Sequence, residues 1–102
     1  MQLIEFTDAA KQAIAEYREQ LMIPDTHYLR IGIKQKNSTD KGLVIGFDAP
    51  TDKDQHSEVD GIQLIYHPGQ VFFFAGMVID YRVSNDKKGF KLVERAQLNP
   101  NK

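Results

Sequence analysis

The side chains that could do chemistry here are three histidines, His27, His56 and His67, a run of carboxylates from Asp48 to Asp60, and Ser38. Cysteine is absent, which excludes a disulfide, a thiol nucleophile and a thiolate-bound metal or cluster within these 102 residues. A metal held from one helix needs histidines spaced H-x-x-x-H or H-E-x-x-H, so that two imidazoles share a face. None of the three is so spaced, and we read them as ordinary surface or strand-end residues. Asp52 and Asp54 alternate as in a calcium loop, but position 56 is His56, and no turn glycine or distal bidentate glutamate follows. Residues 48–60 therefore read as a solvated acidic loop, opposed only by Lys53.

Ser38, His67 and Asp80 supply the residue types of a hydrolytic triad, but Ser38 lies in no G-x-S-x-G turn. Gly42 and Gly46 frame Leu43 to Ile45 without the helix start that a phosphate loop requires. Asn37-Ser38-Thr39 matches a glycosylation sequon, which matters only in a secreted chain. With no acid, base or nucleophile set by spacing, an enzyme is not expected. Two surfaces remain for binding. Arg82, Lys87, Lys88, Lys91 and Arg95 form a basic patch that could meet an acidic partner or simply guard a sheet edge. Tyr66, Phe72 to Phe74 and Tyr81 could line a pocket, although core is the plainer reading.

These residues need a scaffold. A chain of 102 residues makes one domain that buries roughly 65% of its unfolded surface, with an expected ordered core at 1–95 and a flexible tail at 96–102. Thirteen Lys and Arg stand against fourteen Asp and Glu, a net charge of -1 that cannot hold a nucleic-acid backbone. The apolar runs fall far short of the ~20 residues of a membrane span, and the start lacks a signal core. A cytoplasmic setting is the expectation.

Thr7 can cap a helix over 8–22, with Ala10, Ile14, Tyr17 and Leu21 on one face and Pro24 ending it. Alternation predicts strands at Tyr28 to Lys34 (Leu29, Ile31 and Ile33 inward) and at Leu43 to Phe47, joined by a polar loop. Asp60-Gly61 signals a turn before a strand over Ile62 to Tyr66. Pro68 suits the start of a short helix over the apolar run Val71 to Ala75. Met77 to Val83 reads as a buried strand, Ser84 to Gly89 as a turn, and Phe90 with Leu92 as the inward face of a last strand.

This order resembles that of the HesB/IscA family, the A-type iron-sulfur carriers. Leu29-Arg30-Ile31-Gly32-Ile33 is similar to its L-R-I-x-V segment, and Phe47-Asp48 follows at the family's distance. Asp60-Gly61, His67-Pro68 (usually Asp-Pro), Gly76, Ile79-Asp80-Tyr81 and Gly89-Phe90-Lys91 fall at family spacing, so the likeness covers residues 4 to about 92. It implies an α+β, mainly β fold: a HesB-like pseudo-barrel or two-sheet β-sandwich with an N-terminal helix and a short central helix.

The family holds its cluster or iron through three cysteines, soft anionic ligands suited to iron-sulfur chemistry. Ser38 stands at the position of the first, in a loop that has lost the family's glycines. An ungapped count places Asn101 at the second, with the third beyond the last residue; aligning Asn99-Pro100-Asn101 with the family's own N-P-N segment would instead place both beyond it. The resemblance therefore implies a non-ligating relative with no iron-sulfur cofactor and no metal site. Its expected role is an accessory or regulatory factor in cluster biogenesis, acting through contact with a true carrier or an apo-protein target, and usually dimeric. The alternative is a general binding module on the same fold, unrelated to iron.

Overall fold

In the computed structural model the described residues are 3–35 and 41–95. Ser38, Asn101 and the expected tail 96–102 lie outside them. A two-residue strand β1 (Glu5–Phe6) leads into α1 (Asp8–Gln20), followed by β2 (Tyr28–Gln35) and β3 (Lys41–Asp48). Then come β4 (Gln55–Val59), β5 (Ile62–Tyr66), a 3-10 turn (Pro68–Gln70) running into α2 (Val71–Phe74), β6 (Val78–Ser84) and β7 (Lys87–Val93).

The strands form two sheets, in order β1-β6-β7 and β3-β2-β5-β4. The first joins β1 and β6 in parallel and β6 and β7 antiparallel; in the second β2 runs parallel to β5 and antiparallel to β3. This is the α+β, two-sheet form of the expectation, and the sheets do not close into a barrel. One apolar cluster draws on both sheets and both helices, with Leu29, Ile31, Leu64, Phe74 and Ile79 each at most 2% exposed. Each such side chain contributes roughly 1.5–3 kcal/mol by leaving water.

Local chemistry explains the boundaries. Thr7 is extended and its Oγ1 accepts the Ala10 N–H at 3.1 Å, satisfying one of the donors that every helix start leaves unpaired. The helix ends at Gln20, two residues before the expected limit. Met22 adopts φ 54 there, the Met22 N–H bonds the Glu19 carbonyl at 3.1 Å, and the Ile23 N–H reaches back to Arg18 at 3.0 Å. That pair of bonds is a Schellman ending, with methionine where glycine is usual.

Two expectations are corrected. Residues 48–60 are not all solvated loop, because Gln55–Val59 pairs antiparallel with β5 across Asp60-Gly61. Both turn residues have positive φ, 52 and 82, the geometry whose twist matches that of paired strands. The polar turn at 84–89 is shorter than expected: β6 and β7 pair out to Ser84 and Lys87, with Asn85 at φ 53 carrying the reversal.

Beyond its last pairing with β5, β2 finds a different neighbour. The Gln70 side-chain amide accepts the Ile33 N–H at 3.1 Å and donates to the Ile33 carbonyl at 2.9 Å, continuing the ladder where β5 has stopped. Gly32 makes room for it: a Cβ there would lie 2.8 Å from Gln70 Oε1.

Candidate functional site

The residues that the sequence offered for catalysis are engaged separately. His67 Nδ1 accepts the Gly69 N–H at 3.2 Å and caps the 3-10 turn. Asp80 Oδ1 accepts the Thr7 hydroxyl at 2.7 Å and the Tyr81 N–H at 2.9 Å, while its Oδ2 takes Arg82 Nε at 3.0 Å. Burial would raise the Asp80 pKa, but the bonds from Thr7, Arg82 and the backbone outweigh it and hold the carboxyl below its ordinary value. His27 Nδ1 lies 3.2 Å from its neighbour Thr26, and His56 meets the Tyr28 ring edge-on at 5.8 Å. Among the described residues no three His, Asp or Glu side chains gather as a metal site.

Asp54 departs from the solvated-run reading. Its side chain is 4% exposed and takes both terminal nitrogens of Arg30, whose Nε turns to Asp48. Thr51 adds its N–H at 2.8 Å and its hydroxyl at 3.2 Å. The Arg30 fork, together with Thr51, holds the Asp54 carboxyl well below the usual carboxylate range, and the guanidinium is raised in turn. This network ties the turn after β3 to the outer face of β2. The Asp54 oxygens thus serve Arg30 and Thr51.

The basic patch is partly neutralised, since Arg82 pairs with Asp80 and Arg95 with Glu5. Lys87, Lys88 and Lys91 remain exposed on β7. The aromatic group splits three ways. Tyr66 and Phe74 are core, 6% and 0% exposed, and meet edge to face at 5.7 Å. Phe72 stands on the surface at 90% exposure, and Phe73 is 40% exposed.

Tyr81, named above as a possible pocket residue, does line a cavity, whose other walls the sequence did not single out. About 380 Å³ opens between α1, β3 and the β6–β7 hairpin, with Ile14, Tyr17, Leu29, Phe47, Tyr81 and Phe90 in its walls. The Tyr17 and Tyr81 hydroxyls are 2.9 Å apart, one donating to the other, and the bond raises the Tyr81 pKa. Phe90 packs 4.8 Å from the Tyr81 ring and 6.1 Å from the Tyr17 ring. Arg18 lies over the Phe47 ring at 4.8 Å, a cation–π contact that holds this wall in place. The available signal was Tyr17 on the apolar stripe of α1, a polar-tipped residue at a core position.

The family model for iron-sulphur cluster biosynthesis matches residues 2–102. The chain belongs to this family. Solved structures share the fold of this HesB/IscA protein. SufA of Escherichia coli, involved in biosynthesis of iron-sulfur clusters, aligns with TM-score 0.64 and 24% identity over 89% of this chain and 84% of its own. IscA with a [2Fe-2S] cluster aligns with TM-score 0.74 and 17% identity over 90% and 85%. An Aquifex aeolicus protein solved by NMR gives 0.68 and 24% over 90% and 97%. No curated protein sequence matches the chain.

Proposed function

We propose that this HesB/IscA family member is a non-ligating accessory of iron-sulfur cluster biogenesis, which acts by binding a cluster carrier or an apo-protein target. The observation that supports this reading is a retained scaffold without thiolates: the family's fold spans the chain, yet its 102 residues include no cysteine. The cluster is the family's cargo, and the side chains of this chain do not suit it. Ser38, aligned with the first ligand cysteine of the family, offers a hydroxyl that is neutral at physiological pH and a poor ligand for iron. Asn101, the counterpart of the second in an ungapped count, offers a neutral amide.

The scaffold also presents surface for contact. The exposed Phe72 and the three free-standing lysines of β7 supply an apolar contact and a charged one, the combination from which protein interfaces are built.

Two experiments test the reading. Anaerobic reconstitution with iron and sulfide, followed by desalting, is expected to leave no visible chromophore and no stoichiometric iron; a stable chromophore would overturn the non-ligating role. Mixing with a purified A-type carrier from the same organism is expected to give a complex on size exclusion. Absence of a complex with carriers and with apo-targets, together with unchanged iron-sulfur enzyme activities in a deletion strain, would remove the accessory role.

A further inference from the structure

The cavity beside α1 is walled by Ile14, Tyr17, Leu29, Phe47, Tyr81 and Phe90. It is a half-open surface pocket of about 380 Å³. Water gains little from such walls, because Ile14, Leu29, Phe47 and Phe90 offer it no hydrogen bonds. Size and lining are those of small-molecule sites: mainly apolar, with a few placed polar groups.

The polar group is the tyrosine pair. One hydroxyl donates to the other, so the second O–H has no partner among the described residues, and lone pairs remain to accept. Phenols are protonated at neutral pH, so the pair keeps a donor for a ligand. Around the pair, three rings meet edge-on or tilted, which favours a flat ring as the added member over a flexible chain. The entrance is apolar as well: Leu21 lines it at 63% exposure, next to Met22 at 84%. Met22 keeps a left-handed conformation there, although a glycine would hold it more easily.

We propose that the cavity binds a small planar aromatic molecule bearing one hydroxyl group, its rings packed on Phe47 and Phe90 and its hydroxyl bonded to the Tyr17–Tyr81 pair. The proposal is independent of whether the protein carries or contacts clusters.

The test titrates the full chain with 2-naphthol and with naphthalene, read by amide chemical shifts. Saturable shifts are expected for both, concentrated at Gly46, Tyr81, Gly89 and Phe90, with 2-naphthol bound about tenfold more tightly, the gain of one hydrogen bond in an apolar site. The double variant Tyr17→Phe, Tyr81→Phe is expected to keep naphthalene binding, which also reports an intact cavity, and to lose the tenfold preference. Any of four results would overturn the proposal: no saturable binding of 2-naphthol up to its solubility, shifts scattered away from the cavity, a preference that persists in the double variant, or binding that weakens as protein concentration rises because a second copy fills the site.

Discussion

Arg30 grips Asp54 with both terminal nitrogens, at 2.8 and 2.7 Å, and spends its Nε on Asp48 at 2.9 Å. The Asp54 carboxyl is consequently held well below its unfolded value of about 3.9. A depressed carboxylate pKa contributes stability that is complete above about pH 4 and fades as pH falls toward the folded value. Asp54→Asn is therefore expected to lower the urea midpoint at neutral pH, with the gap to the wild type closing below about pH 4. A gap of equal size at pH 7 and in acid would contradict the ion-pair account.

Gln70 serves as a surrogate strand for Ile33. Gln70→Ala leaves a part-buried N–H and carbonyl without their partner and is expected to cost about 1–3 kcal/mol in denaturant unfolding. Gly32→Ala drives a Cβ against Gln70 Oε1 and should destabilise by a comparable amount. Since both changes break one arrangement, the double variant is expected to cost clearly less than the sum. Strict additivity would separate the two residues.

Thr7 works in two directions, capping α1 through Ala10 and donating to Asp80 on β6. Thr7→Ala is expected to lose about 1–2 kcal/mol, and Thr7→Ser to recover most of it because the hydroxyl returns. Thermal unfolding measured on the two variants checks the order. A serine no better than alanine would mean that the methyl group, and not the oxygen, matters.

Met22 holds a left-handed conformation that costs a residue with a Cβ roughly 1–2 kcal/mol. Met22→Gly relieves it while keeping the two backbone bonds of the Schellman ending, and a gain of about 1 kcal/mol is expected despite the greater freedom of glycine in the unfolded chain. Equilibrium unfolding with an unchanged denaturant slope checks it. A loss of stability would indicate that the Met22 side chain packs productively in solution.

Much of the fold was legible because its signals are local or periodic. Leu29 and Ile31 are buried where alternation placed them, Thr7 caps the helix, and Pro68 opens the short helical turn. β4 was not legible, since Val59 alone of its five residues is buried and the strand is held by backbone pairing across the Asp60-Gly61 turn. The Arg30–Asp54 pair joins an outward strand position to an acidic loop 24 residues later, and only the path of the chain brings them together. The walls of the cavity other than Tyr81 were hidden for a related reason. Tyr17, Tyr81 and Phe90 each have a core-like pattern, and the space they leave among themselves is a property of three-dimensional packing alone. The ligand positions of the family, by contrast, were legible only through alignment, and Ser38 and Asn101 lie outside the described residues.

The parallel pairing of β1 with β6 sets Glu5 against Val78, and the Thr7 hydroxyl against Asp80 at a separation of 73 residues. Contacts between such distant positions slow folding, because a long loop must close before they form. On the ribosome, β1 has no strand to join until most of the chain has emerged, and the start of α1 waits for the acceptor that fixes its cap to the sheet. The β2–β3 and β4–β5 hairpins can form in the meantime, which leaves the aromatic run Phe72 to Phe74 emerging onto a half-built molecule. Synthesis rate and chaperone access, rather than final stability, would then govern how much of this protein reaches its native state.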